Sequence, residues 1–141
     1  MAVSMGRVLG KGVVVAATIC AVGAAGATLA SAEGGFTTKL ENVAAGFESR
    51  TWKDRDSDHW RTAVELSGCS SNSPQAAPRI GLYRERFGPD SHYGTKGYGG
   101  CDRRMVRGDW GDVRSGKYHF TMKSMGMDFY RVSARKVQVW Y

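Results

Sequence analysis

Three cysteines and three histidines in 141 residues leave this chain short of the side chains on which metal centres and nucleophilic sites are usually built. It contains no Gly-x-Ser-x-Gly elbow, no His-Glu-x-x-His pair and no glycine-rich phosphate loop, the local arrangements that common hydrolytic, zinc and phosphoryl-transfer chemistries require. His59, His92 and His119 fall in separate segments, so no local acid–base constellation forms and catalysis is not expected. Helical periodicity is sparse, and beyond residue 32 no apolar run is long enough to cross a membrane.

The first 32 residues read as a secretory leader. Arg7 and Lys11 supply positive charge, residues 13–29 are small and apolar, and Ala30-Ser31-Ala32 is a small-residue cleavage site. Glycines interrupt the apolar run and no charged stop follows, which favours a cleaved signal over a membrane anchor. A lipoprotein would use Cys20, but the bulky Ile19 precedes it. The expected organisation is a signal peptide over 1–32, an N-terminal arm over 33–46 and one domain over 47–141, secreted and extracellular. Loss of the leader removes Cys20 and leaves Cys69 and Cys101, which in an exported chain pair with each other. Closing that loop contributes roughly 3 to 4 kcal/mol in the chain-entropy picture. The net charge of +7 includes Arg7 and Lys11. The remaining excess suits anionic partners and equally suits solubility, and nucleic acid is not expected.

Within the mature region, apolar alternation dominates. Trp60, Thr62, Val64 and Leu66 share one face of a strand, and residues 47–53 form its expected hairpin partner across a turn at 54–58. A loop follows over 70–78, then a strand carrying Ile80 and Leu82. Residues 91–111 are rich in glycine and tyrosine and suggest short strands joined by irregular loops. Tyr118, Phe120 and Met122 share a face, and the last strands cover 129–134 and 137–141, with a bulge or turn at Arg135-Lys136 where the apolar register shifts. The fold class is all-β: a small antiparallel β-sandwich or barrel of about six to eight strands with one disulfide.

Three groups of residues are site candidates. Asp54, Asp56 and Asp58 occupy the first odd positions of a calcium-loop pattern, although His59 stands where that loop needs glycine. A calcium site and a solvated acidic turn are both open readings, and no other cofactor is expected. In the arm, Phe36, Leu40 and Val43 are apolar at spacings of four and three, able to pack on the domain or dock into a partner. Arg103, Arg104, Arg107, Arg114 and Lys117, with Tyr98 and Trp110 nearby, form the best basic–aromatic cluster for a partner or a sugar. Arg107-Gly108-Asp109 spells an integrin-recognition tripeptide, too short to carry weight.

The alanine- and glycine-rich leader, Ser49-Arg50-Thr51-Trp52 before the acidic turn, Gly68-Cys69, Gly100-Cys101 and Trp110-Gly111-Asp112 before Gly116-Lys117-Tyr118-His119-Phe120 together resemble the small secreted β-sandwich proteins of filamentous actinobacteria. Some of these look like the adaptor subunits of secreted umbrella-shaped antibacterial toxin particles, in which a small disulfide-bonded protein joins a lectin-like subunit to a toxin-bearing stalk. The resemblance implies a non-catalytic interaction domain with another extracellular protein as partner, its arm at 36–43 inserted into that partner. The alternatives are a glycan or anionic cell-surface binder using Tyr93, Tyr98, Trp110 and the neighbouring arginines, and a small basic secreted toxin.

Overall fold

The computed structural model describes residues 34–141; the leader expected over 1–32 and Cys20 lie outside the described residues. Eight strands run in the order β1 (Gly35–Val43), β2 (Trp52–Asp54), β3 (Thr62–Ser71), β4 (Arg79–Arg84), β5 (Ser91–Gly97), β6 (Val106–Gly111), β7 (Gly116–Met122) and β8 (Val132–Trp140), with no helix among the described residues. They form two four-stranded antiparallel sheets, ordered β1-β8-β3-β6 and β2-β7-β4-β5. The all-β, disulfide-bonded architecture expected from the sequence is therefore present, with Cys69 and Cys101 bonded and their Cα atoms 5.3 Å apart.

The pairing is nested. β1 pairs with β8, β2 with β7, β3 with β6 and β4 with β5, which is the winding of a jelly roll. The core follows from alternation: Ile80 and Leu82 on β4, Tyr118, Phe120 and Met122 on β7, Val64 and Leu66 on β3, and Val137 and Val139 on β8 are fully buried. Each such side chain contributes about 1.5–3 kcal/mol by leaving water.

Three expectations need correction. The 47–66 hairpin does not form. β2 pairs with β7 in one sheet while β3 lies between β8 and β6 in the other, so residues 55–61 cross between sheets. Trp52 is buried but Trp60 is exposed, because the crossing begins before the alternating face reaches the core. The described part of the expected arm is not separate either, since β1 hydrogen-bonds along β8 and places Leu40 and Val43 in the core. Finally, residues 129–134 and 137–141 are not two strands but one, β8, paired with β3 from Ser71↔Val132 to Ala63↔Trp140, and the expected bulge at Arg135-Lys136 appears in its pairing with β1, where the register shifts between Thr38↔Val137 and Leu40↔Ala134. The strand starts at Val132 and leaves Phe129 exposed.

The registers sort the loops into two ends. Segments 44–51, 72–78, 98–105 and 123–131 gather at the end that carries the disulfide; segments 55–61, 85–90 and 112–115 gather at the other.

Candidate functional site

The disulfide end is held together by contacts between loops that are far apart in sequence. The bond itself ties the end of β3 to the 98–105 loop, and the Cys69 amide donates to the Cys101 carbonyl at 3.1 Å. Asn72 joins 72–78 to 123–131: its Nδ2 donates to the Phe129 carbonyl at 2.9 Å and its Oδ1 accepts the Arg131 amide at 2.8 Å. The Tyr98 amide donates to the Pro78 carbonyl at 2.9 Å. Such cross-loop bonds fix the loops relative to one another, so the space between them is a standing feature.

That space is a groove of about 550 Å³. One half is apolar, bounded by Pro74, Ala76, Pro78 and Val132, and the other half runs over Gly99 and Gly100 to Arg103. It continues into two hollows of about 300 and 350 Å³, which share Arg103 and Arg104, and the first of them reaches Arg135 on β8. The charge here is unbalanced. Arg103 Nε lies 3.8 Å from Asp102, with both side chains largely in water, and among the described residues neither Arg104 nor Arg135 has an acidic partner. At the same end of the sandwich, Met105, Met127 and Phe129 are 53, 55 and 65% exposed, apolar surface that water alone does not favour.

The sequence candidates are distributed as follows. Arg103 and Arg104 belong to the groove. Tyr98 lies beneath it, fully buried, its hydroxyl donating to the Val64 carbonyl at 3.0 Å while burial pushes its phenol well above the usual range. Trp110 is half-buried on β6, and its indole donates to the Gly94 carbonyl at 3.0 Å, closing the seam between β5 and β6. Tyr93 packs edge-on against Tyr118 at 5.6 Å. These rings therefore offer no open stacking platform. Leu40 and Val43 are core residues, and Phe36 sits against Trp52 at 5.8 Å with the Arg50 guanidinium 3.8 Å above its ring. Arg107 pairs with Glu65 at 2.8 Å and Asp109 with Arg61 at 2.9 Å. The integrin-type tripeptide is consequently engaged along a strand instead of being displayed on a loop.

Asp54, Asp56 and Asp58 do not converge. The Asp54 carboxylate is buried and accepts the Asp56 amide at 2.8 Å and the Thr62 hydroxyl at 3.2 Å, while Asp58 accepts the Trp60 amide at 3.0 Å. The group with metal-ligand spacing at that end is instead Asp56, His59 and Asp112, whose ligand atoms lie within 4.8 Å of one another and are exposed. Asp112 arrives from the 112–115 turn, which the spacing of the acidic run does not reveal. On the outer face of the second sheet, Tyr83 stacks between His92 and His119 at 4.8 and 5.6 Å. Its hydroxyl accepts from Lys123 at 2.6 Å, an arrangement also invisible in sequence.

Arg135, which lines a hollow beside the groove, and Met127 and Phe129, exposed at the same end, are the residues that sequence reasoning missed. Arg135-Lys136 was legible as a pair of cations where the apolar register shifts, which marks them as outward-facing. Met127 falls in the connection expected over 123–128 and Phe129 at the start of the strand expected over 129–134, and neither position marks a surface role. The chain matches no protein-family model and no curated protein by sequence.

Proposed function

We propose that this protein is a secreted, non-catalytic binding module that engages another extracellular protein through the loops of its disulfide end. Its resemblance to the small secreted proteins of filamentous actinobacteria makes an adaptor within an antibacterial toxin assembly the specific form of this reading. One observation carries it: the 72–78 and 98–105 loops, with the end of β3 and Val132, line a groove braced by the Cys69–Cys101 bond, and the same end of the sandwich exposes Met105, Met127 and Phe129. Exposed methionine and aromatic side chains are common anchors of protein interfaces. The jelly-roll winding itself does not discriminate, because one fold hosts many activities.

A glycan-binding reading has less support, because Tyr93, Tyr98 and Trp110 spend their faces and polar atoms within the fold. The test is a pull-down with the tagged mature protein from the culture supernatant of the producing organism, followed by mass spectrometry. A larger secreted protein should be recovered in stoichiometric amount, be lost with Met127→Ser/Phe129→Ser and persist with Phe87→Ser at the opposite end. Recovery of the module alone, or capture that ignores the double substitution, would overturn the proposal.

A further inference from the structure

The groove also indicates the chemistry of what enters it. Arg135 and Arg104 approach the hollow from β8 and from the 98–105 loop, and each lies against a glycine. A Cβ placed on Gly68 would come within 2.4 Å of Arg135 Nε, and one placed on Gly100 within 3.6 Å of Arg104 Nε. Both glycines have positive φ, 63° and 87°. The missing side chain at Gly68 admits the Arg135 guanidinium close to the backbone, whereas Arg104 lies over Gly100 at ordinary contact distance. Arg103 adds a third cation, against the single carboxylate of Asp102.

From this arrangement we infer that the occupant is an extended protein segment with two parts. Acidic side chains meet Arg103, Arg104 and Arg135, and apolar side chains fill the half bounded by Pro74, Ala76, Pro78 and Val132. The inference rests on the binding-module reading and deepens it. Guanidinium groups bind carboxylates through paired, charge-assisted hydrogen bonds, and a cluster of three with one acid selects a partner with at least two negative charges. The same cations would attract phosphate polymers. The apolar half decides between these ligands, because a polyphosphate has nothing to bury there whereas a peptide places alternate side chains on either side of its backbone. Met105, at the rim of the cationic hollow, offers a thioether to the stem of an acidic side chain.

The probe is a fluorescein-labelled peptide of four glutamates followed by alternating leucine and proline, read by fluorescence anisotropy on the mature protein. Binding should weaken at least about tenfold when glutamine replaces glutamate, when salt is raised, and in Arg104→Glu/Arg135→Glu, as expected for exposed charge pairing. Arg104→Gln/Arg135→Gln should lie between, and thermal melts of both variants should match the parent. Equal binding of glutamate and glutamine peptides, or of parent and Arg104→Glu/Arg135→Glu, would refute the inference. So would displacement of the peptide by polyphosphate at lower concentration than by unlabelled peptide, which would assign the groove to a phosphate polymer. If the peptide fails while the Met127→Ser/Phe129→Ser pair still abolishes capture in the pull-down, the acidic segment is wrong and the binding module stands. If both fail, the module reading falls with it.

Discussion

Gly68 and Arg135 face each other across β3 and β8 at the level where both strands exchange their inner and outer faces. On one side of it Val64 and Leu66 point inward opposite Val139 and Val137; on the other the inward partners are Cys69 and Ala134. The hydrogen-bonded register continues through the change, so the two strands turn over together. Gly68, with φ at 63°, supplies the left-handed step in β3. One local irregularity thus aims Cys69 at Cys101 and lays Arg135 on the groove.

Gly68→Ala should therefore be destabilising by at least about 1–2 kcal/mol from the left-handed backbone alone, with a further loss from contact with Arg135. Urea denaturation of Gly68→Ala, Arg135→Ala and the double variant separates the two terms. The double variant should recover the part due to contact and keep the part due to backbone. If Gly68→Ala costs the same with and without Arg135, the close approach has no energetic weight.

The position of β1 in the sandwich makes a second prediction. Leu40 is 3% exposed, so Leu40→Asp buries a carboxylate among apolar neighbours and should cost about 3 kcal/mol or more. Lys39→Ala, on the outward side of the same strand and paired only with Glu41 at the surface, should change stability by less than about 0.5 kcal/mol. Chemical denaturation checks both. A Leu40→Asp protein that unfolds like the parent would mean that residues 35–43 are a detachable arm after all.

The acid limb of stability offers a third. The Asp109 carboxyl is held below its ordinary range, chiefly by hydrogen bonds from the Arg61 guanidinium and also by the Gly111 amide and Arg107, against a partial opposing effect of burial. A depressed folded-state value means that the carboxylate stabilises the fold fully above the ordinary 3.8 and loses that contribution as pH falls through the lower folded value. The pair is largely solvated, so the effect is small. Asp109→Asn should lower stability at pH 7, and its difference from the parent should shrink as the pH falls below 3.8. Denaturation midpoints measured across that interval test this, and a constant difference at every pH would argue against it.

How much of this was legible in the sequence depends on whether the signal was local. Alternation at Ile80 and Leu82, or at Tyr118, Phe120 and Met122, states which face is buried, and those faces are buried. It does not state which strand lies alongside. Of the nested pairs only β4 and β5 are neighbours in the chain, while β1 and β8 are separated by almost its whole length, so a turn rich in aspartate was read as a hairpin when it is a crossing. The site divides the same way. Arg103 and Arg104 stand beside Cys101 and could be grouped with it by eye; Arg135 reaches them only through the register of β8 on β3.

The acidic crossing gives the last prediction. Asp54 looks from its spacing like the first ligand of a calcium loop, but its carboxylate is buried and holds the crossing in shape through the Asp56 amide and the Thr62 hydroxyl. Removing a buried acceptor leaves its donors without a partner, at about 1–3 kcal/mol. Asp54→Ala should therefore lower the melting temperature with or without calcium, and millimolar calcium should shift the parent no more than it shifts Asp54→Ala. Asp58, whose carboxylate caps only the exposed Trp60 amide, should tolerate alanine with a loss of less than about 1 kcal/mol. Differential scanning calorimetry of the three proteins with chelator and with calcium is the decisive comparison. A calcium-dependent rise in melting temperature that vanishes in both Asp54→Ala and Asp58→Ala would restore the calcium loop and show that these carboxylates turn from the backbone to the ion.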